Sequence, residues 1–205
     1  MKEEGIMNVR NYTSDYKKSN MRSRKENKVN KQFEPKNPNE IWVSDVTYLR
    51  IDDKNKNTFY LCVIMDLFSR RVIAYTIGLS NSKQLVNATL KKAVESRNIG
   101  KSTILHSDRG SNYVSTSFSN NLKKYGIEQS FSKAGCPYDN SPMESFFQLL
   151  KKKCFYRHIF TSKPMLTKII DEYIDFYNNK RSHRYLNYIS PVEFENKYYQ
   201  KHLLL

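Results

Sequence analysis

Residues 41–77 read IWVSDVTYLRIDDKNKNTFYLCVIMDLFSRRVIAYTI and contain three strand-like runs joined by short polar connections. The first run, 41–51, has two distinct faces, whereas the second, 58–67, is apolar on both faces, as is typical of a central strand. The third run follows a tight connection and covers residues 72–77. Three consecutive strands with short links predict an antiparallel meander.

Beyond the meander, the spacing of apolar residues changes to the period of helices. The predicted elements are, in order, a helix that ends before Gly100, a strand over 103–106, a helix capped by Ser115 or Thr116 and stopped by Gly126, a strand over 127–131, a helix opened by Pro142, and a long helix capped by Thr161 or Ser162. The order β-β-β-α-β-α-β-α-α predicts an α/β fold with a mixed five-stranded sheet flanked by helices.

Composition excludes several classes of protein. The 205 residues, 39% hydrophobic and 13% aromatic, suffice for one domain with a core and are too apolar for a disordered chain. The longest apolar run, 59–65, is far shorter than the ~20 residues of a membrane span, and no signal peptide is visible. Three cysteines without C-x-x-C spacing argue against a disulfide scaffold or a zinc ribbon. We therefore expect a cytoplasmic protein without membrane association.

The formal net charge of +15 makes polyanions the natural partners, and the excess lies mainly in the two flanks of the chain. Residues 1–38 show no apolar period and are rich in Lys, Arg, Asn and Ser, which predicts a basic, mostly extended arm. We predict a core over 39–160 between two polyanion-contacting flanks, with residues 161–205 as a helical extension packed on the core. Charge that serves only solubility is the alternative.

Two carboxylates occupy positions that suggest chemistry. Asp45 lies in the middle of a predicted strand, on a face otherwise made of Ile, Val, Thr and Leu, where an ionised carboxylate is costly without a positive partner. Asp108 follows the strand over 103–106, at the strand end where open α/β sheets place their sites. The structural alternatives are a hydrogen-bonded polar residue for Asp45 and an Asp-Arg-Gly turn for Asp108.

A third carboxylate, Glu144, has a structural explanation of its own. The segment SPME at 141–144 fits a capping box with Ser141 as the N-cap. However, Glu144, Gln148 and Lys151 share one helical face, so a carboxylate and an ammonium aimed the same way could hold a metal and a phosphate together. Taken alone, the capping box is the simpler interpretation.

Together, three carboxylates on different elements suit two divalent ions. Mg²⁺ takes oxygen ligands and shares phosphate oxygens with a substrate, and two ions about 4 Å apart stabilise both oxygens of a phosphoryl transfer. In a basic chain, this set points to chemistry on nucleic-acid strands. Asp66 and Asp139 are expected to be structural, zinc at Cys154 and His158 is not expected, and no P-loop or Ser-His-Asp order is present.

Three motifs resemble those of bacterial insertion-sequence transposases: WVSDVTY at 42–48, HSDRGSNY at 106–113 and DNSPMESFF at 139–147. The most similar group is the second-frame product of the third insertion-sequence family, a DDE transposase with a core like that of retroviral integrases. The segment FYNNKRSH at 176–183, continued by SPVEF at 190–194, also matches.

The spacing of the motifs carries the resemblance further. Thirty-five residues separate Asp108 from Glu144, a distance that the family shares with retroviral integrases. Lys151 follows Glu144 by seven residues, at the place where the family keeps a basic residue. Two departures are that Lys152 and Lys153 stand where the family often has an acidic residue, and that residues 1–38 are short for its helix-turn-helix-like segment.

The resemblance implies a ribonuclease-H-like fold and a D-D-E triad of Asp45, Asp108 and Glu144, which would hold two Mg²⁺ ions, with Mn²⁺ as a substitute. It implies cleavage of double-stranded DNA at element ends, followed by attack of the freed 3′-hydroxyl on target DNA. It also implies a homo-oligomer on DNA in the bacterial nucleoid. Recognition of the element ends would come from an upstream-frame helix-turn-helix protein, or from a fusion with it.

Contacts to DNA are expected mainly from basic residues near the triad and in the last motif. Lys151 would hold the terminal DNA; the further expected DNA-binding residues are Arg109, Gln148, Lys152, Arg181 and His183. Two other functions remain open at this stage. One is a ribonuclease-H-like nuclease that only hydrolyses, and the other is a non-catalytic DNA-binding remnant of a degraded element.

Overall fold

Five strands form the central sheet: β1 (Ile41–Arg50), β2 (Thr58–Asp66), β3 (Val72–Gly78), β4 (Ile104–Ser107) and β5 (Glu128–Phe131). Their spatial order is β3-β2-β1-β4-β5. The first three strands are antiparallel neighbours, whereas β4 pairs parallel with β1 and β5 pairs parallel with β4. The predicted meander and the mixed five-stranded sheet are therefore confirmed.

The computed structural model describes residues 27, 29, 34–51, 57–100, 102–132 and 140–203. Most of the predicted basic arm over 1–38 lies outside these residues, as does Asp139, which was expected to be structural. The division between core and extension at residue 160 stays a prediction.

Within the described residues, five α-helices flank the sheet: α1 (Lys83–Ser96), α2 (Thr116–Lys124), α3 (Ser141–Lys153), α4 (Lys163–Asn179) and α5 (Pro191–Leu203). Ser82, Ser115 and Ser162 cap α1, α2 and α4 by accepting a backbone N–H from the first turn. Gly126 follows α2 with a φ of 70°, a left-handed conformation that suits glycine. The sequence-based order contained four helices and missed α5.

Apolar side chains form a core on each face of the sheet. Val43 and Leu49 of β1 belong to the core under α3 and α4, whereas Trp42 belongs to the core under α1 and α2. The alternation predicted for the first strand is therefore confirmed. In α4, Leu166 and Ile170 are fully buried in the first of these cores, so this helix is part of the layered structure.

The outer edge of β3 is covered by side chains from both helical layers. The amide of Asn178, in α4, donates to the Val72 carbonyl and accepts from the Val72 N–H, both at 2.9 Å. From α1, Ser96 and Lys92 donate to the carbonyls of Ile73 and Tyr75 at 3.3 Å. These contacts occupy outward-facing backbone groups of an edge strand.

A buried ion network attaches α5 to the rest of the fold. Glu195 is fully buried, and its carboxylate accepts from Arg71 at 2.7 Å and pairs with Arg97. Arg71 precedes β3 and Arg97 follows α1, so one carboxylate joins three separate parts of the chain. A local signal for α5 was available, because Ser190 precedes Pro191 and its hydroxyl accepts the Glu193 N–H at 3.2 Å, as an N-cap residue does.

We predict that Glu195→Gln lowers the free energy of unfolding by about 3 kcal/mol, because it leaves two guanidinium groups without their counter-charge. Urea denaturation measures this loss. The matched control is Glu193→Gln on the same helix, where the exposed pair with Lys197 at 2.9 Å is worth at most about 1 kcal/mol. Equal effects of the two substitutions would contradict the assigned role of Glu195.

Candidate active site

The register of the parallel pair β1–β4 brings two of the candidate carboxylates together. Ser44 in β1 lies opposite Ser107, the last residue of β4. Asp108 leaves the sheet directly after Ser107, so it emerges beside Asp45. Because both strands run in the same direction, this is the edge of the sheet where the parallel strands end.

Asp45 is held in an unusual electrostatic environment. Its Oδ1 accepts the Val46 N–H at 2.7 Å, which favours the ionised form. Burial outweighs that bond and raises the pKa of Asp45 to about 7, and the negative charges of Asp108 and Glu144 add to the rise. The structural alternative, a hydrogen-bonded polar residue, therefore describes only part of its surroundings. The charges of two further carboxylates thus act on Asp45.

Asp108 lies in the Asp-Arg-Gly turn that was its structural alternative, and the turn also fixes its carboxylate. Oδ1 accepts the Gly110 N–H at 2.9 Å. A Cβ atom at position 110 would lie only 2.9 Å from that oxygen, so the close approach requires glycine. The side chain remains exposed to solvent, which leaves room for a ligand or substrate.

The capping box proposed for Glu144 is wrong. The N-cap of α3 is Asn140, and no side chain caps this helix end. The helix thus begins one residue earlier than the box requires, which places Glu144 at the fourth helical position, where it cannot close the reciprocal pair. Its carboxylate is exposed, in the first turn of α3, and is free of the structural role that the sequence suggested.

The predicted polar face of α3 is present. Glu144 and Gln148 are exposed and Lys151 is half-buried, while the opposite face packs into the core. The Lys151 ammonium lies 4.5 Å from the ring centroid of Tyr48, in β1, and burial lowers the pKa of this lysine. Within the described residues, Lys151 has no carboxylate ion-pair partner.

Tyr48 was not predicted as a site residue. It is exposed on β1, three residues after Asp45, and its ring orients the lysine. An exposed aromatic residue beside a mid-strand carboxylate was the available signal. Lys152 and Arg109 are also exposed, and the Arg109 Nε donates to the Ser132 carbonyl at 3.0 Å.

Arg181 and His183 follow α4 and lie beside the first turn of α3, which also carries Glu144. Arg181 lines a cavity of about 300 Å³ beside the start of α3, and its guanidinium contacts the His183 ring nitrogens at 2.8 and 2.9 Å. His183 is buried and packs edge-on against Tyr177, with 4.7 Å between ring centroids. The expectation that His183 contacts DNA stays a prediction, and in this structure its imidazole contacts Arg181.

The donor set of the carboxylates fits a hard divalent cation, because all of its atoms are oxygens and their mutual repulsion favours a positive ion among them. The three carboxylates lie further apart than the ligands of an occupied metal site. Among the described residues, no group of three His, Cys, Asp or Glu side chains is close enough to hold a metal ion.

Asp66, in contrast, is structural, as predicted. It is fully buried, its Oδ2 accepts the Asn39 N–H at 2.8 Å, and its Oδ1 accepts the Phe68 N–H at 2.9 Å. Burial raises the pKa of Asp66 to about 6. It closes the turn after β2 and lies outside the group around Asp45.

Comparison with known families agrees with the motifs. Residues 35–137 match a family model described as the integrase core domain, and residues 144–199 match a second model with the same description. The chain belongs to the integrase core domain family. It is 36% identical over 173 residues to the transposase InsF for insertion sequence IS3A of Escherichia coli strain K12. The match covers 84% of this chain and 59% of InsF, so the chain spans a little over half the length of that relative.

Solved structures show the same fold as this integrase core. The simian T-cell lymphotropic virus intasome, in complex with a regulatory subunit of PP2A, matches with a TM-score of 0.68 at 18% identity, over 79% of this chain and 56% of that one. The HTLV-2 integrase catalytic core domain, in its dimeric form with magnesium, matches with a TM-score of 0.59 at 18% identity, over 72% and 92%. The ribonuclease-H-like fold and the resemblance to insertion-sequence transposases are both confirmed.

The buried imidazole gives this integrase core a pH dependence. Burial, with the charges of Arg181 and Arg70, lowers the pKa of His183 to about 4, compared with about 6.5 in an unfolded chain. Below about pH 6.5 the unfolded chain binds a proton that the folded chain does not, so His183 contributes a loss of stability as the pH falls toward 4.

We predict that the difference in Tm between the wild type and His183→Asn narrows as the pH is lowered from 7 to 5. Only the wild type loses stability through protonation of His183 in the unfolded chain. Calorimetric melting at several pH values measures the difference. Parallel pH profiles for the two proteins would show that the imidazole titrates normally and is not buried.

Proposed function

We propose that this integrase core is the catalytic domain of a transposase, which cleaves DNA strands at the ends of an insertion element and joins the freed 3′-hydroxyl to another strand. The observation that carries the proposal is that Asp108 and Glu144 lie close enough to Asp45 for their charges to add to burial in raising its pKa. The name of the E. coli relative supports the same activity.

In this proposal, the three carboxylates hold divalent metal ions, with Mg²⁺ as the natural ion, two ions per site and Mn²⁺ as a substitute. The magnesium in the HTLV-2 integrase core supports this choice. Bound metal supplies Lewis acidity at the scissile phosphate and a nucleophilic water or hydroxyl. The turn at Gly110 orients the Asp108 carboxylate, and the Val46 N–H, which donates to Oδ1, orients the Asp45 carboxylate.

DNA would lie across the exposed end of the sheet and along the polar face of α3. Lys151, held over the Tyr48 ring, is placed to bind a phosphate next to the carboxylates. The side chains exposed around Lys151 are those of Arg109, Gln148 and Lys152. Arg181 lines the cavity beside the start of α3. Such contacts to phosphate fix position and affinity without reading the base sequence.

Further partners are proposed on the same basis. We infer that the substrates are element ends and target DNA, that several copies assemble on DNA at the bacterial nucleoid, and that a helix-turn-helix segment from an upstream frame recognises the ends. The relatives' greater length and the intasome among the similar structures support an assembly of this kind. In the part of the chain that the structure describes, no helix is both long and apolar enough to cross a membrane.

We predict that Asp45→Asn, Asp108→Asn and Glu144→Gln each lower strand cleavage and joining by at least about 1000-fold, because each removes a negative ligand while keeping the side-chain shape. Binding to DNA persists or strengthens, since a negative charge near phosphate is lost. A gel assay with a labelled element end and Mg²⁺ or Mn²⁺ measures cleavage and joining, and a filter assay measures binding.

The same assay separates the alternatives. Cleavage without joining would identify a nuclease that only hydrolyses, and binding without either activity would identify a non-catalytic remnant. Near-normal joining by any single variant would show that its carboxylate is not part of the triad.

We predict that Lys151→Ala lowers strand joining about 10- to 100-fold, as for a lost electrostatic contact at a reacting group, while the Tm changes little because the ammonium is not in the core. The matched control is Lys153→Ala, an exposed residue in the last turn of the same helix. A large drop in Tm with normal activity of the folded fraction would make Lys151 a packing residue instead.

A further inference from the structure

We propose that the hydroxyl of Tyr113 is a positioning group for the candidate triad, because it ties the loop that carries Asp108 to the strand that carries Asp45. The proposal rests on the proposed function, since it concerns how the metal-binding carboxylates are held. Tyr113 itself touches neither substrate nor metal, because it is buried on the far face of the sheet, among the residues under α1 and α2.

The contact joins two buried hydroxyls. The Tyr113 Oη lies 2.8 Å from the Ser44 Oγ, and the Ser44 Oγ donates to the Val63 carbonyl at 3.0 Å. A serine hydroxyl has one proton, and here that proton goes to Val63. Tyr113 is therefore the donor to Ser44. The Cys62 sulfur lies 3.8 Å from Tyr113 and closes the pocket around the pair.

The backbone connects this bond to both carboxylates. Ser44 is the immediate neighbour of Asp45 in β1, with its side chain on the opposite face of the strand. At the other end, the Tyr113 N–H donates to the Gly110 carbonyl at 3.0 Å, and the Gly110 N–H donates to Asp108 at 2.9 Å. Hydrogen bonds thus connect the Asp108 carboxylate, through Gly110 and Tyr113, to Ser44, which is the neighbour of Asp45.

The tyrosine is fixed on its remaining sides. Its carbonyl accepts from the Gln129 amide at 2.7 Å, and its ring packs edge-on against Phe118, with 5.3 Å between centroids. With the ring held there, the hydroxyl is the group that couples the loop to β1. Loss of the hydroxyl leaves the ring in place and loosens the position of Asp108 relative to Asp45.

Tyr113→Phe tests the proposal. We expect the affinity of the DNA-free protein for Mn²⁺, measured by electron paramagnetic resonance of the free ion, to fall about tenfold, as for other groups that orient metal ligands. The Mn²⁺ concentration for half-maximal strand joining rises by a similar factor, while DNA affinity without metal is unchanged. Ser44→Ala removes the acceptor of the same bond, so the double variant binds Mn²⁺ no more weakly than either single variant.

Tyr173→Phe is the matched control. The Tyr173 hydroxyl is buried but has no hydrogen-bond partner among the described residues, so the same chemical change removes no bond. We expect wild-type Mn²⁺ affinity from this variant. If Tyr113→Phe lowers the Tm yet also keeps wild-type Mn²⁺ affinity, the hydroxyl is merely structural and the proposal is overturned.

The outcomes for the two proposals can be told apart. Mn²⁺ binding that is lost in Asp45→Asn and weakened in Tyr113→Phe, without any strand cleavage or joining by the wild type, would refute the transposase activity and keep the positioning role. Strand cleavage and joining by the wild type, with unchanged Mn²⁺ affinity in Tyr113→Phe, would keep the transposase activity and refute the positioning role. A wild-type protein that binds no Mn²⁺ would overturn both.

Discussion

The parallel pairing of β1 with β4 is the constraint on which the candidate site depends. With Ser44 opposite Ser107, the chain leaves the sheet next to Asp45, and the first residue beyond the strand is Asp108. A slip of one residue would turn every side chain of the strand to the other face and separate the two carboxylates. The register thus places Asp45 and Asp108 next to each other. The turn at Gly110 and the helix that carries Glu144 complete the site around these two residues.

The site and its support lie at different ends of the sheet. Burial, together with the charges of Asp108 and Glu144, raises the pKa of Asp45 and so opposes its ionisation in the folded chain. At the other end, where β1 begins and β2 finishes, Glu195 joins Arg71 and Arg97. The acidic group and the ion network that holds α5 are thus separate, and an apolar core covers each face of the sheet.

The strands and the positions of the candidate carboxylates on them were predictable because they depend on local patterns. The two-residue alternation around Asp45 and the apolar run of β2 each specify a strand, and the order of the motifs indicated the family. The predictions that failed share a cause. Each depended on a contact between residues distant in sequence, or on a helix start that lies one residue from the predicted one. The N-cap of α3 is Asn140 rather than Ser141, and the burial of Glu195 is explained by two remote arginines.

The covered edge of β3 bears on how copies of this protein can meet. An open edge strand offers a row of unpaired backbone groups, and two such edges extend one sheet into the next. Here Asn178, Ser96 and Lys92 occupy several of those groups from the two helical layers. Wherever copies of this chain come close together, an open edge would favour strand-to-strand aggregation. The side chains of Asn178, Ser96 and Lys92 discourage such growth along β3.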